Sequence, residues 1–172
     1  MPAFAILPIT FLDQPRYVGL LKTDRGLARV TLPVASREAA LAELAPTLNG
    51  AREDASAFGD LPERLRRYFA SEAVSLDDAV DMASLTPFAR HVLDATRRIP
   101  RGATRSYGWL ASAAGSPKGA RAAGQALARN PVPIVVPCHR VVGASGALCG
   151  FAGGAGVSMK QALLELERAS SV

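Results

Sequence analysis

Residues 130–143, NPVPIVVPCHRVVG, set three prolines into an apolar run and end it with a cysteine beside a histidine. Proline has no backbone N–H and fixes φ, so Pro131, Pro133 and Pro137 exclude a regular central strand over 130–137. The stretch is stiff irregular chain carrying the thiol of Cys138. A lone cysteine is most often a small core hydrophobe. His139 and Arg140, directly after it, favour another reading, because a neighbouring cation or imidazole lowers a thiol's pKa and the thiolate is the nucleophile. In extended chain, successive side chains point to opposite faces, so His139 would need a bend or a bridging water to take the Cys138 proton. An orienting acceptor for the imidazole is also required, and Glu167 is the attractive candidate, with Glu165 and Asp94 as alternatives in an acid-poor half.

The chain has 172 residues, 49% of them hydrophobic, enough for two small lobes or one domain with an extension. No run approaches the roughly 20 apolar residues of a membrane span. The opening MPAFAILPITFL lacks a basic leader and a small-residue cleavage site, and reads as a buried strand. Two cysteines and two histidines give neither a disulfide framework nor a metal site, and a reducing cytoplasm is expected. Charge is uneven. Residues 1–84 hold 9 Lys/Arg against 12 Asp/Glu, whereas residues 85–172 hold 11 against 3. The basic half is the one expected to meet a polyanion such as nucleic acid.

Segments 3–12, 17–23 and 27–34 read as strands, with Gly26 in the turn before the third. Ser36 caps a helix predicted over 37–48, and Asp60-Leu61-Pro62-Glu63 resembles a capping box opening a helix with Leu65, Tyr68 and Phe69 on one stripe. The polar, acidic segment 71–85 is expected to link the lobes. Thr86 and Pro87 then start a helix through Val92 and Leu93 that ends at Pro100-Arg101-Gly102. Helices follow over 106–114 and from a Ser116 cap to about Arg129, and KQALLELERA forms a last short one.

The two helices around Gly115, with small Ala111 at their crossing, meet the steric demands of a helix-turn-helix. The second is nearly all Ala and Gly, with only Lys118, Arg121, Gln125 and Arg129 projecting far. A helix stripped of bulk can approach a DNA groove closely while Arg121 reaches further in; tight packing with Arg121 merely solvated is the alternative.

PVPIVVPCHRVVG resembles the active-site signature of the O6-alkylguanine-DNA alkyltransferases, the methylated-DNA–protein-cysteine methyltransferases. TPFARHVL, IPRGATRSYGWLA, SPKGARAAGQALARNPVPI, CGFAGG and LLELE resemble successive blocks of the same family over about 86–168. The resemblance implies an α+β fold of two lobes. Residues 1–84 would form a ribonuclease-H-like α/β lobe, and 85–172 a mostly helical alkyltransferase and DNA-binding lobe with a helix-turn-helix. It makes Cys138 the alkyl acceptor, His139 a base acting through water, Glu167 its polarising partner, Tyr107 the hydroxyl serving the flipped guanine and Asn130 the anchor of the active-site turn. Arg121 would fill the gap left in the base stack, with Lys118, Ala120 and Tyr107 also at the DNA. The guanine pocket would use the backbone of Cys138 and Val141, with Phe151, Ala152 and Gly153. Phe151 stands where a tyrosine is usual, and GGAGVSMKQA differs from the usual basic stretch.

The implied activity is irreversible, single-turnover transfer of a methyl or other alkyl group from O6-alkylguanine in double-stranded DNA to Cys138, with O4-alkylthymine as a further substrate. No cofactor or metal and no membrane is expected, and the protein would be a monomer that could bind DNA cooperatively. A cysteine hydrolase, which turns over, and a non-catalytic damage-binding helix-turn-helix protein are the rivals.

Overall fold

Along β1 (Ala3–Phe11) every second residue is buried, the period of a strand with one face on a core. The structure, a computed structural model, describes residues 1–148 and 156–169 and divides the chain into two units, Met1–Met82 and Ala83–Val172.

In the first unit β1 pairs antiparallel with β2 (Gln14–Thr23), β2 with β3 (Gly26–Val30), and the short β4 (Arg52–Glu53) runs parallel to β1, giving the order β3-β2-β1-β4. Ser36 caps α1 (Arg37–Leu44) by accepting from the Ala39 N–H, and the chain tightens into a 3₁₀ turn at Ala45–Thr47, around Pro46. Gly19 lets α1 sit close: a Cβ there would lie 2.9 Å from the Leu44 side chain. On the other face α2 (Leu61–Phe69) buries Leu65, Tyr68 and Phe69, with Phe69 edge-on to Phe11 at 5.4 Å.

Two local expectations fail here. The capping box does not form, because Asp60 makes no cap hydrogen bond and is instead held by Arg64 one turn on, while Glu63 pairs with Arg66. Nor is the whole of 71–85 a linker, because its residues up to Met82 belong to the first unit. Asp78 accepts both guanidinium nitrogens of Arg64 at 2.8 Å, the Thr23 hydroxyl donates to Asp81, and Ala79 and Asp81 exchange backbone hydrogen bonds with Leu27. Gly26, at φ +134°, permits this return, since a Cβ there would lie 2.4 Å from the Ala79 carbonyl oxygen.

The second unit opens on α3 (Pro87–Arg97), capped by the Thr86 hydroxyl, with Val92, Leu93, Ala95 and Thr96 buried. The short β5 (Arg105–Ser106) pairs in parallel with β6 (Val141–Val142). Ser106 then caps α4 (Tyr107–Ala113), which ends as Gly115 takes φ +85° and the Ser116 N–H returns to the Ala111 carbonyl. Contrary to the Ser116 cap, α5 spans only Ala120–Ala128. Ser116 closes a turn by accepting the Gly119 N–H at 2.8 Å, and that turn uses up the residues assigned to the first helical turn. The last helix, α6 (Gly156–Ala169), begins before KQALLELERA. No helix among the described residues is long and apolar enough to cross a membrane.

Candidate active site

The loop from Asn130 to Pro137 is held by one side chain. Buried Asn130 donates from Nδ2 to the Val136 carbonyl and accepts the Val132 N–H at Oδ1, both at 3.0 Å. Between those bonds Ile134 adopts φ +74°, a conformation that costs a β-branched residue on the order of 1–3 kcal/mol and persists only where its surroundings enforce it. The loop delivers a 3₁₀ turn at Cys138–Arg140, so Cys138 and His139 do not stand on extended chain and the bend is present. Both are buried. The β5–β6 pairing sets Arg105 opposite Val141, which brings the start of α4 alongside this turn.

The helix α6 supplies the partners. Lys160, Leu163, Leu164 and Glu167 repeat at i, i+3, i+4 and i+7, and all four are buried. His139 Nε2 lies 2.6 Å from Glu167 Oε1. A carboxylate has no hydrogen to give, so Nε2 is the donor and Nδ1 the nitrogen that can accept a proton. The same carboxylate accepts Arg140 Nε at Oε2 and Nη2 at Oε1, each 2.9 Å, and Arg140 Nη1 donates to the Ile99 carbonyl at 2.7 Å. Burial works to raise the Glu167 carboxyl, but the hydrogen bonds from His139 and Arg140 outweigh it and hold the group well below the usual carboxylate range. For His139 burial dominates: despite Glu167, the imidazole is pushed below its ordinary value. Glu165 bonds the exposed Gln161 and Asp94 is exposed, which leaves Glu167 as the partner.

Lys160 was not anticipated. Its Nζ donates to the Tyr107 hydroxyl at 3.3 Å and lies 5.6 Å from that ring's centroid. Its i, i+7 spacing from Glu167 puts both on one helix stripe, but that is a faint signal, since a lysine in sequence reads as surface. Tyr107 also packs near α5, where a Cβ at Gly124 would lie 3.5 Å from its ring. Lys118 and Arg121 are exposed, Ala120 is half-buried at the first position of α5, and Val141 is buried in β6. Phe151, Ala152, Gly153 and Cys149 lie outside the described residues. Among the described residues no cluster of His, Cys, Asp or Glu could hold a metal ion.

Residues 87–169 match the family model for the DNA-binding domain of 6-O-methylguanine DNA methyltransferase. The methylated-DNA–protein-cysteine methyltransferase of Mycolicibacterium paratuberculosis is 47% identical over 126 residues, covering 73% of this chain and 74% of that protein. This chain belongs to the methylated-DNA–protein-cysteine methyltransferase family. A constitutive methyltransferase of Bacillus subtilis is 46% identical over 63% of this chain and 64% of its own length. The crystal structure of the Mycobacterium tuberculosis O6-methylguanine methyltransferase superposes with a TM-score of 0.77 at 35% identity, covering 99% of this chain and 94% of that one. The tuberculosis protein in complex with DNA gives 0.79 at 34% identity, over 98% and 94%. The methyltransferase family's mixed α+β architecture is thus shared across both units.

Proposed function

We propose that this chain repairs alkylated DNA by accepting the alkyl group of O6-alkylguanine, and of O4-alkylthymine, irreversibly on the sulfur of Cys138. The observation that carries the reading is the buried run Cys138–His139–Glu167, set at the end of an Asn130-clamped loop in a chain of this family.

His139 Nδ1 takes the thiol proton through a water, and Glu167 steadies the resulting imidazolium. The thiolate then attacks the alkyl carbon in line. A sulfur–carbon bond forms, the carbon–O6 bond breaks, and its electron pair stays on the guanine, which takes a proton from the Tyr107 hydroxyl. The proton held by His139 returns through solvent to restore the phenol, so that the thiol proton is in sum transferred to the guanine. Lys160 can only donate, so its bond to the Tyr107 oxygen directs the phenolic hydrogen elsewhere, toward the base. The product thioether is not readily hydrolysed, so each molecule reacts once.

Because O6 lies within the base stack, the guanine must be turned out of the duplex, at a cost of a few kcal/mol. Exposed Arg121 fills the gap, with Lys118, Ala120 and Tyr107 along the strand, and α4 and α5 serve as a helix-turn-helix. The backbones of Cys138 and Val141 hold the base, with Phe151, Ala152 and Gly153 at its edge. Residues 85–172 are the alkyltransferase domain. Residues 1–84 are a ribonuclease-H-like lobe, a reading supported by an antiparallel meander followed by a helix and a strand parallel to β1. The protein acts as a cytoplasmic monomer on double-stranded DNA.

The test is to incubate sub-stoichiometric protein with duplex DNA containing O6-methylguanine, count methyl groups removed, and map the adduct by mass spectrometry. One methyl per protein, on Cys138, is expected. More than one, or an adduct on Cys149 with Cys138 unmodified, overturns the assignment.

A further inference from the structure

Three N–H donors converge on the Glu167 carboxylate, and two of them, both from the Arg140 guanidinium, are not needed to orient His139. We propose that Arg140 is a positioning residue that balances the Glu167 charge, keeps His139 unprotonated in the resting protein, and so sets the lower pH edge of alkyl transfer. The inference rests on the reaction assigned above.

A single carboxylate 2.6 Å from an imidazole in dry surroundings draws a proton onto the ring, because the pair then carries no net charge. A ring protonated from solvent cannot accept the thiol proton. With Arg140 bound through Nε and Nη2, the carboxylate is already balanced, and protonating His139 leaves a net positive charge in the interior. The guanidinium side chain is only 13% exposed and stays ionised across the working range. Its third bond, to the Ile99 carbonyl beyond α3, fixes the charge in position. The charged groups around the ring oppose one another, the carboxylate drawing a proton onto it and the cations repelling one. Cys138 and Arg140 share its turn, Glu167 and Lys160 face it from α6, and Tyr107 of α4 bonds Lys160. Burial is the main cause that holds the His139 pKa below its ordinary value, Glu167 works against it, and the positive charges of Arg140 and Lys160 add to the lowering.

The experiment is the first-order transfer rate from saturating O6-methylguanine duplex, followed between about pH 5 and 9, where histidine titrates. Arg140→Gln is expected to raise the acid limb by about one to two pH units and to recover toward its plateau at alkaline pH. Arg140→Lys, which keeps the charge and loses the fork, is expected to lower the plateau with the limb close to wild type. An Arg140→Gln profile lowered at every pH with its limb unmoved makes the residue a structural brace and overturns the proposal. Should that variant not fold, the ring resonances of the intact protein decide. The chain has two histidines, and the exposed His91 is assigned by His91→Gln. A His139 ring that stays neutral to about pH 5 supports the proposal, and one titrating at or above the ordinary histidine value overturns it. Wild type that transfers nothing at any pH refutes the reaction, while the ring titration still judges the charge assignment.

Discussion

At the scale of single residues, the site depends on side chains that hold backbone rather than on the thiol alone. Asn130 is the clearest case. Replacing it with Ala removes the acceptor of the Val132 N–H and one of two donors to the Val136 carbonyl, which also takes the Cys138 N–H. The stranded Val132 N–H carries most of the penalty, and Asn130→Ala is expected to cost about 2–3 kcal/mol in urea denaturation. Transfer should fall further than stability, because Ile134 is then released from φ +74° and the Cys138 turn loses its anchor. An unchanged urea midpoint would show that the prolines alone hold the loop. The Cys138–His139 pair could be read from its neighbours, three prolines and an arginine, and Asn130 from the resemblance to the family. Lys160 could not. A lysine in sequence reads as surface, and its burial follows from Tyr107, 53 positions away in the chain.

At the scale of elements, the sequence revealed starts and stops where one side chain decides them. Ser36 and Thr86, expected as caps, each accept a backbone N–H three residues on, and Gly115 ends α4 as expected, whereas Ser106, expected inside its helix, caps it. The reading failed where two local solutions competed. Ser116 closes a turn onto Gly119 in place of capping α5, and Asp60 pairs with Arg64 in place of capping α2. The segment 71–82 was misread because its polarity hid ties to α2 and to the β2–β3 hairpin. Two glycines with positive φ allow a controlled test of such ties. Gly115 has nothing within 4 Å of a built Cβ, so Gly115→Ala should cost only the left-handed strain, about 1 kcal/mol. Gly26→Ala meets the Ala79 carbonyl as well and should cost at least about 2 kcal/mol. Hydrogen exchange should locate the damage at the Leu27 and Asp81 amides, and equal losses at both sites would refute the steric account.

At the scale of the whole molecule, ionisable burial is as uneven as surface charge. Among the described residues the buried Cys, His, Lys and Glu side chains, Cys138, His139, Lys160 and Glu167, all belong to the second unit, whereas the ion pairs of the first are partly or fully exposed. Exposed pairs contribute about 0–1 kcal/mol each, so acid sensitivity should originate in the second unit. Both depressed groups of the second unit act in one direction. Below the ordinary histidine value of 6.5 the unfolded chain takes up a proton that folded His139 resists, and below 4.5 the same holds for Glu167. In each window the unfolded state binds more protons, so stability is present at neutral pH and lost as pH falls. The slope approaches about 1.4 kcal/mol per pH unit for the first group and steepens when the second joins. Trp109, the single tryptophan, belongs to the second unit and reports its melting. Its thermal midpoint should decline through weakly acidic pH and more steeply below about pH 4.5. In His139→Gln the upper part of that decline should vanish while the lower part remains, because the Gln side chain takes up no proton and Glu167 still does. A decline that begins only below 4.5 in wild type would mean that His139 is not held neutral, and that the charge balance around Glu167 has been read with the wrong sign.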